Sequence, residues 1–309
     1  MTLLHVKGSL ADMTAGEIFK GILDEVFLHA ILDTLKIIVF LFLTYLIMEF
    51  IEHKASAKVE DFAKKAGRLG PLAGGVLGAV PQCGFSTVAS NFYTAKVIGM
   101  GTLISVFLST SDEMLPILIS GSVPAKFILA VLGYKLFVAV LVGFAVDFAI
   151  RFLYKRGEYK IDIDEICEND NCHCERGILH SAIHHTLTVG GFVLAITLLL
   201  NLVIFFVGEE NLAAVMYDKF FVGHAIAAVL GLVPNCAVSI VFTELCIEGY
   251  ITAGTMLSGL FSGAGVGLLV LFKVNKRKKE NFAIIGILVF TAVIFGMLAD
   301  VVDFSMLLK

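Results

Sequence analysis

Charge is scarce in this sequence and tryptophan is absent. Only 16% of the 309 residues are charged, while 58% are hydrophobic. Soluble domains run to about 25% charged and about 45–50% apolar, so a water-soluble globular fold is excluded and the chain reads as an integral membrane protein. The net charge of −4 leaves no basic excess for nucleic acid. Without Trp, the interfacial belt falls to Tyr, Phe and Lys. The six cysteines do not form a secreted disulfide framework, because Cys167, Cys172 and Cys174 share one polar loop while Cys83, Cys236 and Cys246 lie in apolar segments. There is no Walker sequence, so ATP drive would need another chain. Residues 1–28 lack the basic start and unbroken apolar core of a signal peptide. Within them Ile18, Phe19, Ile22, Leu23, Val26 and Phe27 fall at helical spacing and predict a short interfacial helix.

Proline is rare as well, and two prolines stand in the middle of apolar segments. One lies in Gly78-Ala79-Val80-Pro81-Gln82-Cys83-Gly84-Phe85-Ser86 and the other in Gly231-Leu232-Val233-Pro234-Asn235-Cys236-Ala237-Val238-Ser239, 153 residues later. Each copy has a Pro, a carboxamide, a Cys, a small residue and a Ser three beyond the Cys. Proline removes a helix hydrogen bond, and lipid does not replace it, so both copies predict an interruption in an apolar segment. The similarity runs further. Asp33 matches His185, Glu49 matches Asn201, Ser90 matches Thr243, Asn91 matches Glu244, Thr102 matches Thr255 and Ser105 matches Ser258. Ser109-Thr110-Ser111-Asp112-Glu113 matches Ser262-Gly263-Ala264-Gly265-Val266, so the acidic pair belongs to the first half alone.

Loop charges predict the topology. Continuous spans are expected at 30–51, 97–120, 125–150, 182–207, 250–272 and 282–302, and interrupted segments at 71–95 and 220–246. The loops 52–70 and 273–279 are basic, and the acidic loop 151–179 opens with Arg151, Lys155 and Arg156, so all three belong in the cytoplasm, whereas 208–219, with Glu209, Glu210 and Asp218, belongs outside. These sides agree only if each interrupted segment enters and leaves on one side. Each arm beside Pro81 or Pro234 has about ten residues, about 15 Å of helix, which is half of a core of about 30 Å. The expected fold is therefore an all-α integral membrane protein of two inverted repeats. Each repeat has three spanning helices and one re-entrant hairpin, giving about ten helical pieces, and both termini lie outside. The chain divides into an interfacial segment 1–28, a first transmembrane repeat 29–152, a cytoplasmic loop 153–179 and a second repeat 180–309. Inverted repeats with broken helices at the midplane are the architecture of secondary transporters. If the interrupted segments crossed fully, the repeats would instead be parallel.

The candidate substrate site follows from the breaks. Cys83 and Cys236 offer soft ligands, Gln82 and Asn235 offer carbonyl oxygens, and free backbone groups at a break bind ions. Asp112 and Glu113 sit inside an expected span, where charge marks an ion or substrate pathway. Ser86, Ser239, Asn91 and Glu244 lie on the outgoing arms, where they either line the site or pack one helix on another. Asp33 and His185 correspond in the two halves and are candidates for gating or proton coupling, as is Asp112. Cys167, Cys172, His173 and Cys174, among six carboxylates in 162–175, suit an exchangeable accessory metal site or a flexible acidic linker.

These residues resemble those of the ten-transmembrane heavy-metal exporters, a family also labelled arsenic efflux or manganese transporters. The resemblance is carried by Leu32-Asp33-Thr34-Leu35-Lys36, Val80 to Ser86, Ser109 to Glu113 and Val233 to Cys236. It implies about ten membrane helical pieces, matching six spans and four hairpin arms, and it implies export. The expectation is a secondary exporter of a metal or metalloid ion from a prokaryotic cytoplasm. It would be coupled to H⁺ or Na⁺ and have no enzymatic activity or resident cofactor. Its partners would be membrane lipid, the small ion and a second copy of the chain. Thiols favour arsenite, zinc or cadmium, whereas Asp112, Glu244, Asn235 and Gln82 favour manganese. An exporter of a small organic anion, held at the helix starts near Ser86 and Ser239, is the alternative. A redox or other enzyme using Cys83 and Cys236 is the third, although neither tip has a Cys–His pair nearby.

Overall fold

The computed structural model describes residues 69–80, 84–111, 114–121, 123–153, 178–207, 220–234 and 236–302, with scattered positions between 28 and 46. The expected interfacial segment 1–28 and the Cys/His-rich stretch 162–175 fall outside the described residues, as does most of the span 30–51. Every regular element among the described residues is a helix. In the first half these are α1 (Gly70–Gly78), α2 (Gly84–Thr94), α3 (Met100–Ser109), α4 (Met114–Ser120) and α5 (Ala125–Leu153). They are followed by α6 (Ile178–Val207), α7 (Phe220–Gly231), α8 (Cys236–Ile247), α9 (Ala253–Ser262), α10 (Val266–Val274) and α11 (Lys278–Val302).

The long helices α5, α6 and α11 have 29, 30 and 25 residues. At 1.5 Å per residue each exceeds a hydrocarbon core of about 30 Å. Leu129, Phe137, Phe148 and Phe152 on α5, and Phe282, Phe290 and Val301 on α11, point outward as exposed apolar side chains. Lipid is the medium that accepts such a surface. Only 39% and 33% of the apolar windows in α5 and α11 are buried, against 75% and 78% for the stretches 100–120 and 253–274. The latter two are thus the core of the molecule, and α5 and α11 are its lipid-facing flanks.

Those two core stretches correct an expectation, because neither the 97–120 nor the 250–272 span is continuous. Helix α3 stops at Ser109 and α4 starts at Met114; α9 stops at Ser262 and α10 starts at Val266. The causes differ. In the first half, Ser109, Thr110 and Ser111 turn their hydroxyls back onto the carbonyls of Val106 and Ser109, competing with the helix ladder. In the second half the break is Gly263-Ala264-Gly265, and Gly265 adopts φ 56°, ψ −146°, a conformation closed to residues with a side chain. Each half therefore carries two interruptions, one beside its proline and one inside what reads as a span. Irregular backbone at this depth is tolerated when protein covers it, as the burial of these stretches provides.

The halves agree in detail, position by position at an offset of 153. Gly101 N donates to Asp147 Oδ1 at 3.0 Å, and Gly254 N to Asp300 Oδ1 at 2.6 Å. Ser109 Oγ lies over the Ser105 and Val106 carbonyls as Ser262 Oγ lies over those of Ser258 and Gly259. The turn after α2 makes Ala95 N→Asn91 O and Val97 N→Phe92 O bonds; the turn after α8 makes Glu248 N→Glu244 O and Tyr250 N→Leu245 O. Both turns pass through the left-handed region, at Lys96 (φ 58°) and Gly249 (φ 80°). Lysine accepts there what glycine adopts freely. Gly249→Ala is thus expected to cost about 1–2 kcal/mol, read as a lower unfolding midpoint in detergent.

Contacts set the directions of the helices. Gly70 lies against Thr102, Gly74 against Thr102 and Val106, and Gly78 against Val106 and Ser109. Helices α1 and α3 therefore run side by side in the same sense, closely packed through a small-residue face. Segment 79–99 must bring the chain back between them, and α2 is the return arm. Helix α5 runs opposite to both, since Gly143 meets Gly101 while Lys135, one end along, reaches the Thr110 carbonyl. The second half repeats this. Gly231 meets Gly259 and Ser262, His224 meets Asp300, and Gly254 meets Gly296 and Asp300. The halves join through α2 and α10, where Ser86 and Ser90 abut Gly267, and through α3 and α9.

Candidate functional site at the helix breaks

The two core breaks converge on one side chain that periodicity alone passes over. Lys135 is 1% exposed in the middle of α5. Its ammonium donates to Thr110 O, at the C-terminal end of α3, and to Leu260 O near the end of α9, at 3.3 Å. It also lies 6.0 Å from the centre of the Phe261 ring. A helix leaves its last carbonyls without intrahelical partners and carries partial negative charge there. A cation between two such ends is therefore well placed electrostatically. A signal was available in the sequence: Lys135 is the one charge in the apolar run between Lys126 and Asp147, and intramembrane charge is costly enough to mark function. Its counterpart in the second half is Leu288, just as Gly265 and Val266 stand for Asp112 and Glu113. The charges beside the breaks thus belong to one half.

A second pair of charges lies at the far ends of the same helices. Asp147 and Asp300 place a carboxylate on the N-terminus of α3 and of α9, where the helix dipole favours a negative charge. Asp300 additionally accepts from Thr252 Oγ1 at 2.6 Å, and it faces His224 Nε2 at 3.2 Å. His224 occupies the position at which the first half has Pro71. These carboxylates bind backbone and brace the breaks from their far ends.

Of the residues singled out from the sequence, Gln82, Cys83, Asp112, Glu113, Asn235 and Asp33 fall outside the described residues, as do Cys167, Cys172, His173 and Cys174. Cys236 is the first residue of α8 and His185 lies within α6. Ser86 and Asn91 are buried on α2, and Glu244 is partly buried on α8. A Cβ on Gly267 would lie 2.6 Å from Ser86 Cβ, so α10 fills the space beside Ser86. Ser90 Oγ lies 2.7 Å from Gly267 O and 2.9 Å from Ser86 O, sharing its proton between them. The Ser90 hydroxyl thus ties α2 to α10. In the other half Thr243 Oγ1 donates to Ser239 O at 2.7 Å, and Gly267 is replaced by the larger, fully buried Met114. The equivalent α4–α8 contact is accordingly less intimate.

At the end of α2 the halves are tied by charge. Tyr93 Oη donates to Glu280 Oε2 at 2.8 Å, the Arg277 guanidinium stands 5.8 Å from the centre of the Tyr93 ring, and Arg277 pairs with Glu280 at 3.2 Å. Cys246, fully buried, takes the position of Tyr93 in the second half.

Long apolar helices, a lipid-facing perimeter and broken helices enclosed in the core define an α-helical integral membrane protein. The chain belongs to the family described as "Putative, 10TM heavy-metal exporter", whose sequence model matches residues 23–186, more than half of its length. No curated protein and no solved structure matches it. The family description is one of membrane transport rather than of catalysis.

Proposed function

We propose that this protein is a secondary exporter of a metal or metalloid ion, of the Mn²⁺, Zn²⁺/Cd²⁺ or arsenite type, across a prokaryotic cytoplasmic membrane. The carrying observation is that the ends of two broken helices, one from each half, meet at the single buried Lys135. Transport proceeds by alternating access, with one half rocking against the other around that meeting point, and export is driven by H⁺ or Na⁺.

Contacts support an inverted relation of the halves. Helix α2 runs in step with α10, since Ser86 abuts Gly267 at one end while Tyr93 reaches Glu280 just past the other. Gly121, after α4, abuts Ile247 at the end of α8. The start of α3 thus shares a face with the end of α10, and the start of α9 shares the opposite face with the end of α4. The first face carries Arg151, Lys273, Lys276, Arg277, Lys278 and Lys279, which makes it cytoplasmic. The pairs α1–α2 and α7–α8 are then re-entrant hairpins from opposite sides, with Pro81-Gln82-Cys83 and Pro234-Asn235-Cys236 at their tips. Those tips, with Asp112 and Glu113 in the first core break, form the binding region. Asp33 and His185 serve gating or proton coupling. The stretch Cys167 to Cys174 collects metal on the cytoplasmic side.

Growth of cells lacking their own exporters, tested metal by metal with this protein supplied, measures the function directly. Cys83→Ser and Cys236→Ser are each expected to sensitise such cells to a soft metal, and wild-type tolerance in both would take the thiols out of the mechanism. Deleting 162–175 is expected to weaken apparent affinity while leaving transport intact. Complete loss of transport in that deletion would make the loop more than a collector.

A further inference from the structure

We propose that the Lys135 ammonium is a tethered coupling cation, occupying the place between the α3 and α9 carbonyl ends that a free sodium ion would otherwise take. The inference rests on the exporter reading and deepens it, because it removes sodium from the possible driving ions. In ion-coupled carriers the C-terminal ends of half-helices and nearby unwound carbonyls are what hold a small cation. Both features are present here. Helix α3 gives way at Thr110 to non-helical backbone (φ −51°, ψ 128°), freeing its last carbonyls, and α9 gives way at Gly263 in the same manner.

The ammonium meets a carbonyl from each half, so it satisfies oxygens from both sides of the interface at once. Its site is formed by the Thr110 and Leu260 carbonyl oxygens and by the ring of Phe261. All of these groups are oxygen or π donors suited to a hard monovalent cation. The side chain is 1% exposed and the position is 25 residues from Thr110 and 125 from Leu260 in sequence, so tertiary packing and no local turn brings the charge here. The equivalent residue in the second half is Leu288, which supplies no charge. One cation therefore serves both helix ends.

Sodium sensitivity of folding tests this without requiring transport. Lys135→Ala opens the site while leaving the carbonyls in place. Its unfolding midpoint in detergent is expected to rise by a few degrees when choline chloride is replaced by sodium chloride, because a ligand that binds only the folded state stabilises it. The wild type is expected to show no such rise. Lys135→Met, which refills the site with an apolar stem of similar length, is expected to be as insensitive as the wild type. A Lys135→Ala protein indifferent to lithium, sodium and potassium alike would overturn the proposal. If Lys135→Ala fails to fold, the wild type decides in proteoliposomes loaded with Mn²⁺, Zn²⁺ or arsenite. Transport unaffected by an imposed sodium gradient agrees with the proposal, and transport driven by that gradient refutes it. Wild-type vesicles that move none of the three cargoes would strike at the exporter reading, while the sodium-dependent midpoint of Lys135→Ala would still stand or fall separately.

Discussion

Gly101→Ala and Gly254→Ala are each expected to prevent the protein from accumulating in folded form. A Cβ on Gly101 would sit 2.2 Å from Gly143 O and 2.4 Å from Asp147 Oδ1; on Gly254 it would sit 2.3 Å from both Gly296 O and Asp300 Oδ1. The obstructing atoms include main-chain oxygens of α5 and α11, which do not swing aside as a long side chain would. Overpacking of this kind costs about 1–3 kcal/mol. Prising the helices apart would also break the carboxylate bond to the glycine N–H, a charged hydrogen bond of about 1.5–3 kcal/mol. Together these reach the lower end of the stability of a typical domain, about 5–15 kcal/mol. The control is built into the same repeat. Gly133 and Gly286 also correspond at the offset of 153, yet an added Cβ there meets nothing within 4 Å. Alanine at either is expected to be neutral or to stabilise by about 0.5–1 kcal/mol. Yield and unfolding midpoint of the four proteins in detergent make the comparison. A Gly101→Ala protein as stable as Gly133→Ala would show that α3 and α5 are not in this contact.

Gly267→Met is expected to abolish transport while leaving the protein inserted. It copies the residue at the matching position, Met114, so its chemistry suits a buried helix start. What it does not suit is the neighbour, because a Cβ at Gly267 would already lie 2.7 Å from the Ser86 carbonyl carbon and oxygen. The side chain would wedge α2 away from α10 and pull Ser90 Oγ from Gly267 O, now 2.7 Å apart. Tyr93 would be drawn from Glu280 as well. On the proposed topology these contacts close the cytoplasmic half, so the variant would leak or stall. Metal uptake into inverted vesicles is the measurement, with Gly286→Met, on the open face of α11, as the control expected to transport normally. Wild-type uptake by Gly267→Met would mean that the α2–α10 contact does not gate the path.

Much of this arrangement is legible in the sequence. Composition alone required a membrane protein, because 58% apolar residues cannot be hidden from water in a chain this short of charge. The prolines at 81 and 234 marked two interruptions, and described helices do end at Gly78 and Gly231 and resume at Gly84 and Cys236. The breaks after Ser109 and Ser262 were not marked by proline. Serine, threonine and glycine are common in continuous membrane helices, so their local sequence does not separate a packing face from a break. Ser86 and Ser90 illustrate the same ambiguity: on an apolar arm they read as site or as packing, and the approach of Gly267 to both could not be read from the arm alone.

The sequence by itself determined that the chain lives in lipid, that it contains two similar halves, and that each half bends beside a proline and a cysteine. Those conclusions depend on composition and on local backbone chemistry, which are properties of neighbouring residues. Only the tertiary structure decided that Lys135 bridges Thr110 to Leu260, that Asp147 and Asp300 cap helices 46 residues before them, and that α2 leans on α10. Such contacts join residues distant in the chain, and a buried charge takes its role from the groups that packing brings around it.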